Sequence, residues 1–250
     1  MKAMILAAGL GTRLQPLTND RPKALVEVAG CTLLELILAR LRASGIHDII
    51  INTHHFADLL ADYLHTHDNF GLHIQISREE ILLDTGGGLK RAAHFFLRAT
   101  DAAEEPFLLH NVDVISNIDF ATMLSFHQAR RALATLAVQD RPTSRYLLFD
   151  QHGRLCGRRT GLDGATDLIH NVSQTNALAF SGIHIISPRI FSLITEEGAF
   201  SIISAYLRLA ALGEPILAFP ADRYYWRDLG RPEQIAAAAR DIHSGTFRIP

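Results

Sequence analysis

The sequence predicts an α/β protein with a mostly parallel sheet covered by helices on both faces. Three observations carry this. Short apolar runs alternate with amphipathic stretches from Met4 to Val112, a glycine turn follows the first run at once, and 48% of the 250 residues are hydrophobic, enough for a sizeable core. Alternation at this pace implies right-handed βαβ units, and ligands of such sheets sit beyond the carboxyl ends of the strands.

The elements follow in order. Met4 to Ala8 reads as a buried parallel strand. Thr32 and Glu35 form a capping box for a helix whose Leu34, Ile37, Leu38 and Leu41 share one face and which Gly45 ends. Strands are expected at Asp48 to Asn52, Leu72 to Ser77 and Pro106 to Val112, and helices at Phe56 to His65 and Gly88 to Leu97, the latter after the run Gly86, Gly87, Gly88. Leu133 to Val138 is strand-like, and Tyr146 to Phe149 with Arg154 to Cys156 reads as a hairpin turning at Asp150 to Gly153. Ala177 to Ile186 is a further strand, Pro188 opens a short helix, and Ile202 to Ala211 is amphipathic before Gly213. Trp226 to Leu229 leads into a last helix entered through Gly230, Arg231 and Pro232, where proline's missing N–H costs nothing. No repeat or linker-like stretch interrupts the chain, so residues 1–250 are expected to form one domain, with an elaboration over roughly residues 140–230.

Composition excludes several classes. Lysine plus arginine (24) nearly balances aspartate plus glutamate (26), so no basic field favours nucleic acid, and a small anion in a local positive pocket fits better. Cys31 and Cys156 match no metal spacing and suit a reducing cytoplasm. The apolar run Ala3 to Ala8 is too short to span a bilayer, so no membrane partner is expected; a homo-oligomer is left open. His54 with His55 and His65 with His67 have no zinc-site spacing and read as surface or core residues.

The chemistry starts at Gly9 to Arg13. Gly9 and Gly11 bare the backbone N–H groups where an anion must approach closely, Arg13 adds a cationic fork, and Lys23 follows behind Pro22. A dinucleotide fold opens similarly, but Leu14 stands where its third glycine belongs, and the lysine–serine/threonine ending of a P-loop is missing.

The stretch Ile5 to Gly30 resembles the signature of the nucleotidyltransferases that make nucleotide sugars, a Gly-x-Gly-Thr-Arg turn followed by Pro-Lys. The likeness can be followed over residues 4 to 240, most weakly in the middle. It implies a Rossmann-like αβα sandwich that joins a nucleoside triphosphate to a sugar 1-phosphate and releases pyrophosphate. Arg13 and Lys23 would then be catalytic, Arg13 on the triphosphate and Lys23 on the phosphates at the reacting centre. Leu6, Ala8, Gly9, Gly11, Thr12 and Arg13 would bind the nucleotide, and Gly86 and Gly87 of Leu-Asp-Thr-Gly-Gly-Gly would meet the base.

Asp113 ends the apolar strand in His-Asn-Val-Asp-Val, where a carboxylate serves either as a turn residue or as a hard ligand for Mg²⁺. Many relatives carry a glycine where this chain has Val112. Asp228, in Trp-Arg-Asp-Leu-Gly, caps the last helix or, as the resemblance implies, is the second Mg²⁺ ligand. Asn111 and the string Phe180-Ser181-Gly182 would border the sugar phosphate, although Phe180 equally suits the core. The family's Glu-Lys-Pro segment is absent; Arg158 or Arg159 is the expected replacement for its lysine, against the alternative of an exposed charge pair.

The strings at 83–88 and 179–183 look most like short uridylyltransferases acting on N-acetylmuramic acid 1-phosphate in cell-wall recycling, with mannose 1-phosphate guanylyltransferases as runner-up. One helix and a short tail follow Leu229, so the left-handed β-helix domain of some relatives is not expected. Two other classes compete: a catalytically silent regulatory subunit that binds nucleotide sugars, and a nicotinamide-dependent oxidoreductase.

Overall fold

The centre of the computed structural model, which describes residues 1–97, 105–161, 164–170 and 172–249, is a run of four parallel strands. Their spatial order is Phe107–Asn111, Ala3–Leu6, Asp48–Thr53 and His73–Arg78. Alternation along the strands divides their side chains between two apolar clusters. Ala3, Ile5, Ile49, Ile51 and Leu108 face one, while Met4, Ile50 and Leu109 face the other, so the middle of the sheet is buried on both sides. Helices Leu33–Ala43, Ala57–Thr66 and Phe120–Ala129 cover the first cluster. Asp84–Arg91, Ala93–Leu97 and Ile202–Ala211 cover the second, which completes the three layers.

Local chemistry sets the helix ends as expected. The Glu35 N–H donates to the Thr32 hydroxyl at 3.1 Å, and the Glu35 carboxylate accepts the Thr32 N–H in return. Pro232 occupies the first turn of the last helix, Pro232–His243.

Beyond Phe107–Asn111 the sheet turns antiparallel. The long strand Asn176–Ile186 lies between Phe107–Asn111 and Ala134–Gln139 with its second half, and pairs with Arg145–Phe149 through its first. The expected hairpin follows as Arg145–Phe149 with Leu155–Thr160, extended by Thr166–Leu168. Ile216–Pro220 runs parallel to Ala134–Gln139. That strand and the helix Phe120–Ala129 lie outside the sequence reading.

The glycine run needs a correction. It does not precede a helix; Asp84–Arg91 already contains all three glycines, and a second short helix, Ala93–Leu97, follows. Close packing explains why glycine is used there, as described below.

A third, smaller cluster joins the two ends of the chain. Leu14 and Val26 from the N-terminal segment pack with Ile115, Leu229, Ile235 and Ala238, so the last helix clamps its preceding strand onto the region after the glycine turn.

Three histidines are sealed in the core, each about 1% exposed. His110 hydrogen-bonds the Asn111 carbonyl at 2.8 Å, His127 lies between Thr135 and Ser187 hydroxyls at 2.9 Å each, and His184 meets the Tyr206 hydroxyl at 3.0 Å. Burial pushes His110 and His127 down to about 4 and His184 to about 3, so all three are neutral in the fold at pH 7. An unfolded histidine titrates near 6.5, so the unfolded chain binds more protons as pH falls from about 6.5 to about 4, and stability falls with it. Each histidine is expected to cost about 1.4 kcal/mol per pH unit inside that window. Urea unfolding at pH 7 and pH 5 checks this: the midpoint drops on acidification, and His127→Gln reduces the drop.

Candidate active site

Segments remote in sequence meet beyond the carboxyl ends of the parallel strands. Leu6 ends the first strand with Asn52 and Asn111 as its register partners. Asn52 Oδ1 accepts the Ala7 N–H at 2.8 Å, and Asn52 Nδ2 donates to the buried Glu79 carboxylate at 2.7 Å, which ties the start of the glycine turn to two neighbouring strand tips. Within the turn the two glycines differ. Gly11 has φ +68°, and a Cβ there would fall 2.9 Å from the Thr18 methyl and 3.3 Å from Lys23 Cβ, so the protein itself requires glycine. A Cβ on Gly9 would meet nothing within 4 Å; its exposed backbone borders open space.

Asp113 follows the strand Phe107–Asn111 and is ion-paired to Lys23, both side chains only 12% exposed. The chain then forms a three-residue strand, Val114–Ser116, that pairs antiparallel with Trp226–Asp228. Asp228 stands opposite Val114, and the Leu229 N–H donates to the Asp113 carbonyl at 2.7 Å. This ribbon makes neighbours of the two aspartates. Asp228 Oδ1 also accepts the Gly230 N–H at 2.7 Å, a local turn; the last helix has Arg231 at its N-cap with no side-chain cap, so Asp228 does not cap it as expected. A Cβ on Gly230 would fall 2.8 Å from Asp228 Oδ1 and 2.9 Å from Arg13 Nη2, so both side chains lie close over Gly230.

A cleft of about 1320 Å³ opens here. Its walls include Arg13, Asn111, Asp113, Arg158, Phe180, Ser181, Gly182 and Asp228. Leu6, Ala8, Gly9, Gly11 and Thr12 lie in or next to the turn at the first strand's tip, and Lys23 reaches the cleft through Asp113. Gly182, at φ +74°, is tucked against the protein, since a Cβ would fall 2.9 Å from Asn111 Nδ2 and 3.0 Å from Val114. Phe180 is half-buried, edge-on to His184. Arg158 pairs with Asp167 of the adjoining strand at 3.2 Å, the charge pair weighed above, while still bordering the cleft.

Gly86 and Gly87 do not line this cleft. A Cβ on Gly86 would fall 2.2 Å from the Phe200 ring, one on Gly87 2.4 Å from the Gly198 carbonyl, and one on Gly88 2.7 Å from both Asn52 and Glu79. The run lets Asp84–Arg91 press against the segment entering Ile202–Ala211, sealed by hydrogen bonds from Gly86 N–H to Phe200 O and from Ile202 N–H to Thr85 Oγ1, each 2.9 Å.

Sequence reasoning missed Arg141, which lies over Trp226 with its guanidinium carbon 3.8 Å from the ring centroid. Arg159, one of the two arginines expected here, lies 5.1 Å from the centroid of Tyr146, its register partner, and also borders the cleft. The signal for Arg141 was its place, two residues past the end of a strand. Arginines come to the cleft from four segments (13; 141 and 145; 158 and 159; 227 and 231) against three aspartates, 113, 167 and 228. The cleft is locally cationic in a chain whose net charge is −2, which favours a polyanionic ligand.

A parallel-cored αβα fold with a cationic cleft and two adjoining carboxylates at its strand tips suits a phosphate-bearing ligand. The chain belongs to the nucleotidyl transferase family, whose model, described as "Nucleotidyl transferase", matches residues 2–245. It is 35% identical over 248 residues to an N-acetylmuramate alpha-1-phosphate uridylyltransferase of Caulobacter vibrioides, covering 95% of this chain and 96% of that one. It is 30% identical over 254 residues to a mannose-1-phosphate guanylyltransferase of Mycobacterium tuberculosis, covering 99% of this chain and 66% of the relative. The fold matches HddC from Yersinia pseudotuberculosis complexed with GMP-PN at TM-score 0.72 and 22% identity, covering 96% and 99% of the two chains. The protein is thus an enzyme of the sugar-1-phosphate nucleotidyltransferase type. Among the described residues, no helix is long and apolar enough to cross a membrane.

The packing of the glycine run is directly testable. Gly86→Ala is expected to lower the stability of the ligand-free protein by about 1–3 kcal/mol, the usual cost of overpacking, as read by urea unfolding. Unchanged stability would assign Gly86 to ligand approach alone.

Proposed function

We propose that the enzyme transfers a uridylyl group from UTP to N-acetylmuramic acid 1-phosphate, releasing pyrophosphate, with Mg²⁺ held between Asp113 and Asp228. The observation that supports this most is the ribbon, which puts both carboxylates beside Arg13 at one cleft. The choice of substrates leans on the Caulobacter relative, which matches over nearly its whole length. Two unpaired cysteines suit the cytoplasm as the place of reaction.

The donor set fits Mg²⁺. Two carboxylates supply hard oxygens, and among the described residues no cluster of three metal-ligating side chains exists, as suits an ion that completes its shell with water and substrate phosphates. Bound there, Mg²⁺ would neutralise charge on the phosphates of both substrates.

The remaining work falls to positioning. A phosphate monoester with a second pKa of about 6 is mostly dianionic at neutral pH, so its oxygen needs no general base. That oxygen forms the new bond to the α-phosphorus as the bond to pyrophosphate breaks, and the electron pair leaves with pyrophosphate. Arg13, beside Asp228, grips the triphosphate, and Lys23 answers the charge that gathers at the α-phosphate while balancing Asp113 before substrate arrives. The cleft beyond them, bordered by Asn111 and Gly182, takes the sugar.

A pyrophosphate-release screen crossing four nucleoside triphosphates with a panel of sugar 1-phosphates, with and without a chelator, tests the reading. UTP with N-acetylmuramic acid 1-phosphate is expected to lead, and the chelator to stop release. Preference for GTP with mannose 1-phosphate would move the enzyme to the guanylyltransferases, the second reading that the mycobacterial relative supports. No release with any pair, together with tight nucleotide-sugar binding, would favour a regulatory protein.

A further inference from the structure

Arg141 stands in the loop leaving the strand Ala134–Gln139 and borders the cleft. It is held on two sides. Its guanidinium lies over Trp226, whose indole N–H is fixed on the Ser181 carbonyl at 2.7 Å, and its Nη2 donates to the Phe180 carbonyl at 2.8 Å. Such a fork is pre-organised, with little rotamer freedom left to lose when an anion arrives.

Arg158 has Asp167 and Arg227 has Asp241 at 2.6 Å, but among the described residues no carboxylate lies within ion-pairing distance of Arg141, and its Nε is buried without an acceptor. Burial lowers its pKa, partly offset by attraction from Asp228. A half-buried cation without an anion is costly. Arg40 is likewise held by a backbone carbonyl and an aromatic ring without a carboxylate, but Arg40 lies away from the cleft whereas Arg141 borders it, where an anion can reach it.

Its place narrows the ligand. Trp226 and Asp228 are two residues apart on one strand and so face the same way, which puts an anion bound to Arg141 beside the carboxylate at the reacting centre. In the transfer reading above, Arg13 and Lys23 serve the nucleotide's phosphates, which leaves Arg141 for the other substrate. We propose that Arg141 receives the phosphate of the acceptor sugar 1-phosphate, gripping two of its oxygens in a bidentate fork and leaving the third free to attack. This assignment rests on reading the cleft as a nucleotidyl-transfer site. It gives to Arg141 the task expected of Arg158 or Arg159.

The test uses Arg141→Gln and Arg141→Lys in steady-state kinetics with each substrate varied. Arg141→Gln is expected to raise KM for the sugar 1-phosphate about 10- to 100-fold, the range for losing charge-assisted hydrogen bonds, while KM for the nucleotide stays within about twofold; the unchanged nucleotide KM also reports an intact fold. Arg141→Lys should recover part of the loss, since charge returns without the fork. Equal rises in both KM values, or an unchanged sugar KM, would overturn the assignment.

Calorimetric titration with N-acetylmuramic acid 1-phosphate and with phosphate-free N-acetylmuramic acid separates this proposal from the reaction itself. The wild type should prefer the phosphorylated sugar and Arg141→Gln should erase that preference. A preference that survives the substitution, or none in the wild type, overturns the role of Arg141. Absence of pyrophosphate release with every substrate pair would instead overturn the transfer reaction.

Discussion

The site depends on the backbone pairing of Val114–Ser116 with Trp226–Asp228. Two strands of three residues are too short to be stable alone, so their pairing is bought by what surrounds them. Ile115 and Leu229 are buried among Leu14, Leu33, Leu36 and Ile235; Asn117 and Tyr225 exchange hydrogen bonds of 2.7 and 3.1 Å; and Arg227 ties the strand to Asp241 of the last helix at 2.6 Å. Fully burying a leucine or isoleucine contributes about 1.5–3 kcal/mol, so the small third cluster has enough in hand to hold the ribbon. The same cluster contains Leu14, which directly follows Arg13, so the glycine turn and the C-terminal strand are fixed to one another by shared packing.

Electrostatics explains how two carboxylates coexist at this spot. Asp113 is balanced by Lys23 before any ligand is present, and Arg13 stands against Gly230 beside Asp228. Removing the lysine would leave a carboxylate largely out of water and unpaired, which is far costlier than an exposed charge. The glycine at 230 leaves room for both side chains, because a Cβ there would crowd the Arg13 fork and the Asp228 carboxylate alike.

Features governed by local chemistry were legible in the sequence. The Thr32–Glu35 capping box, the helix Ile202–Ala211, the proline opening the last helix and the parallel core all lie where patterning puts them. The strand-end aspartate was legible too, because Asp113 follows an apolar run that could only be a buried strand. What was not legible depends on distant partners. Nothing near Val114 announces pairing with Trp226, and the glycine run reads as a loop unless one knows that Phe200 fills the space above Gly86. Arg141 was missed because its meaning lies in a stacked Trp226 and in having no ion-pair partner among the described residues, neither visible along the chain. The helix Phe120–Ala129 did carry a local signal in Asp119, whose side chain caps it.

The central claim, that Asp113 and Asp228 share one ion, is tested most directly by Mn²⁺ titration followed by electron paramagnetic resonance in the presence of a non-hydrolysable nucleoside triphosphate. The account predicts one tight ion per chain, about tenfold or more weaker binding in Asp113→Asn and in Asp228→Asn, and a double variant little worse than either single one, as expected when two residues serve one site. Binding that is unchanged in Asp228→Asn, or losses that multiply independently in the double variant, would contradict it.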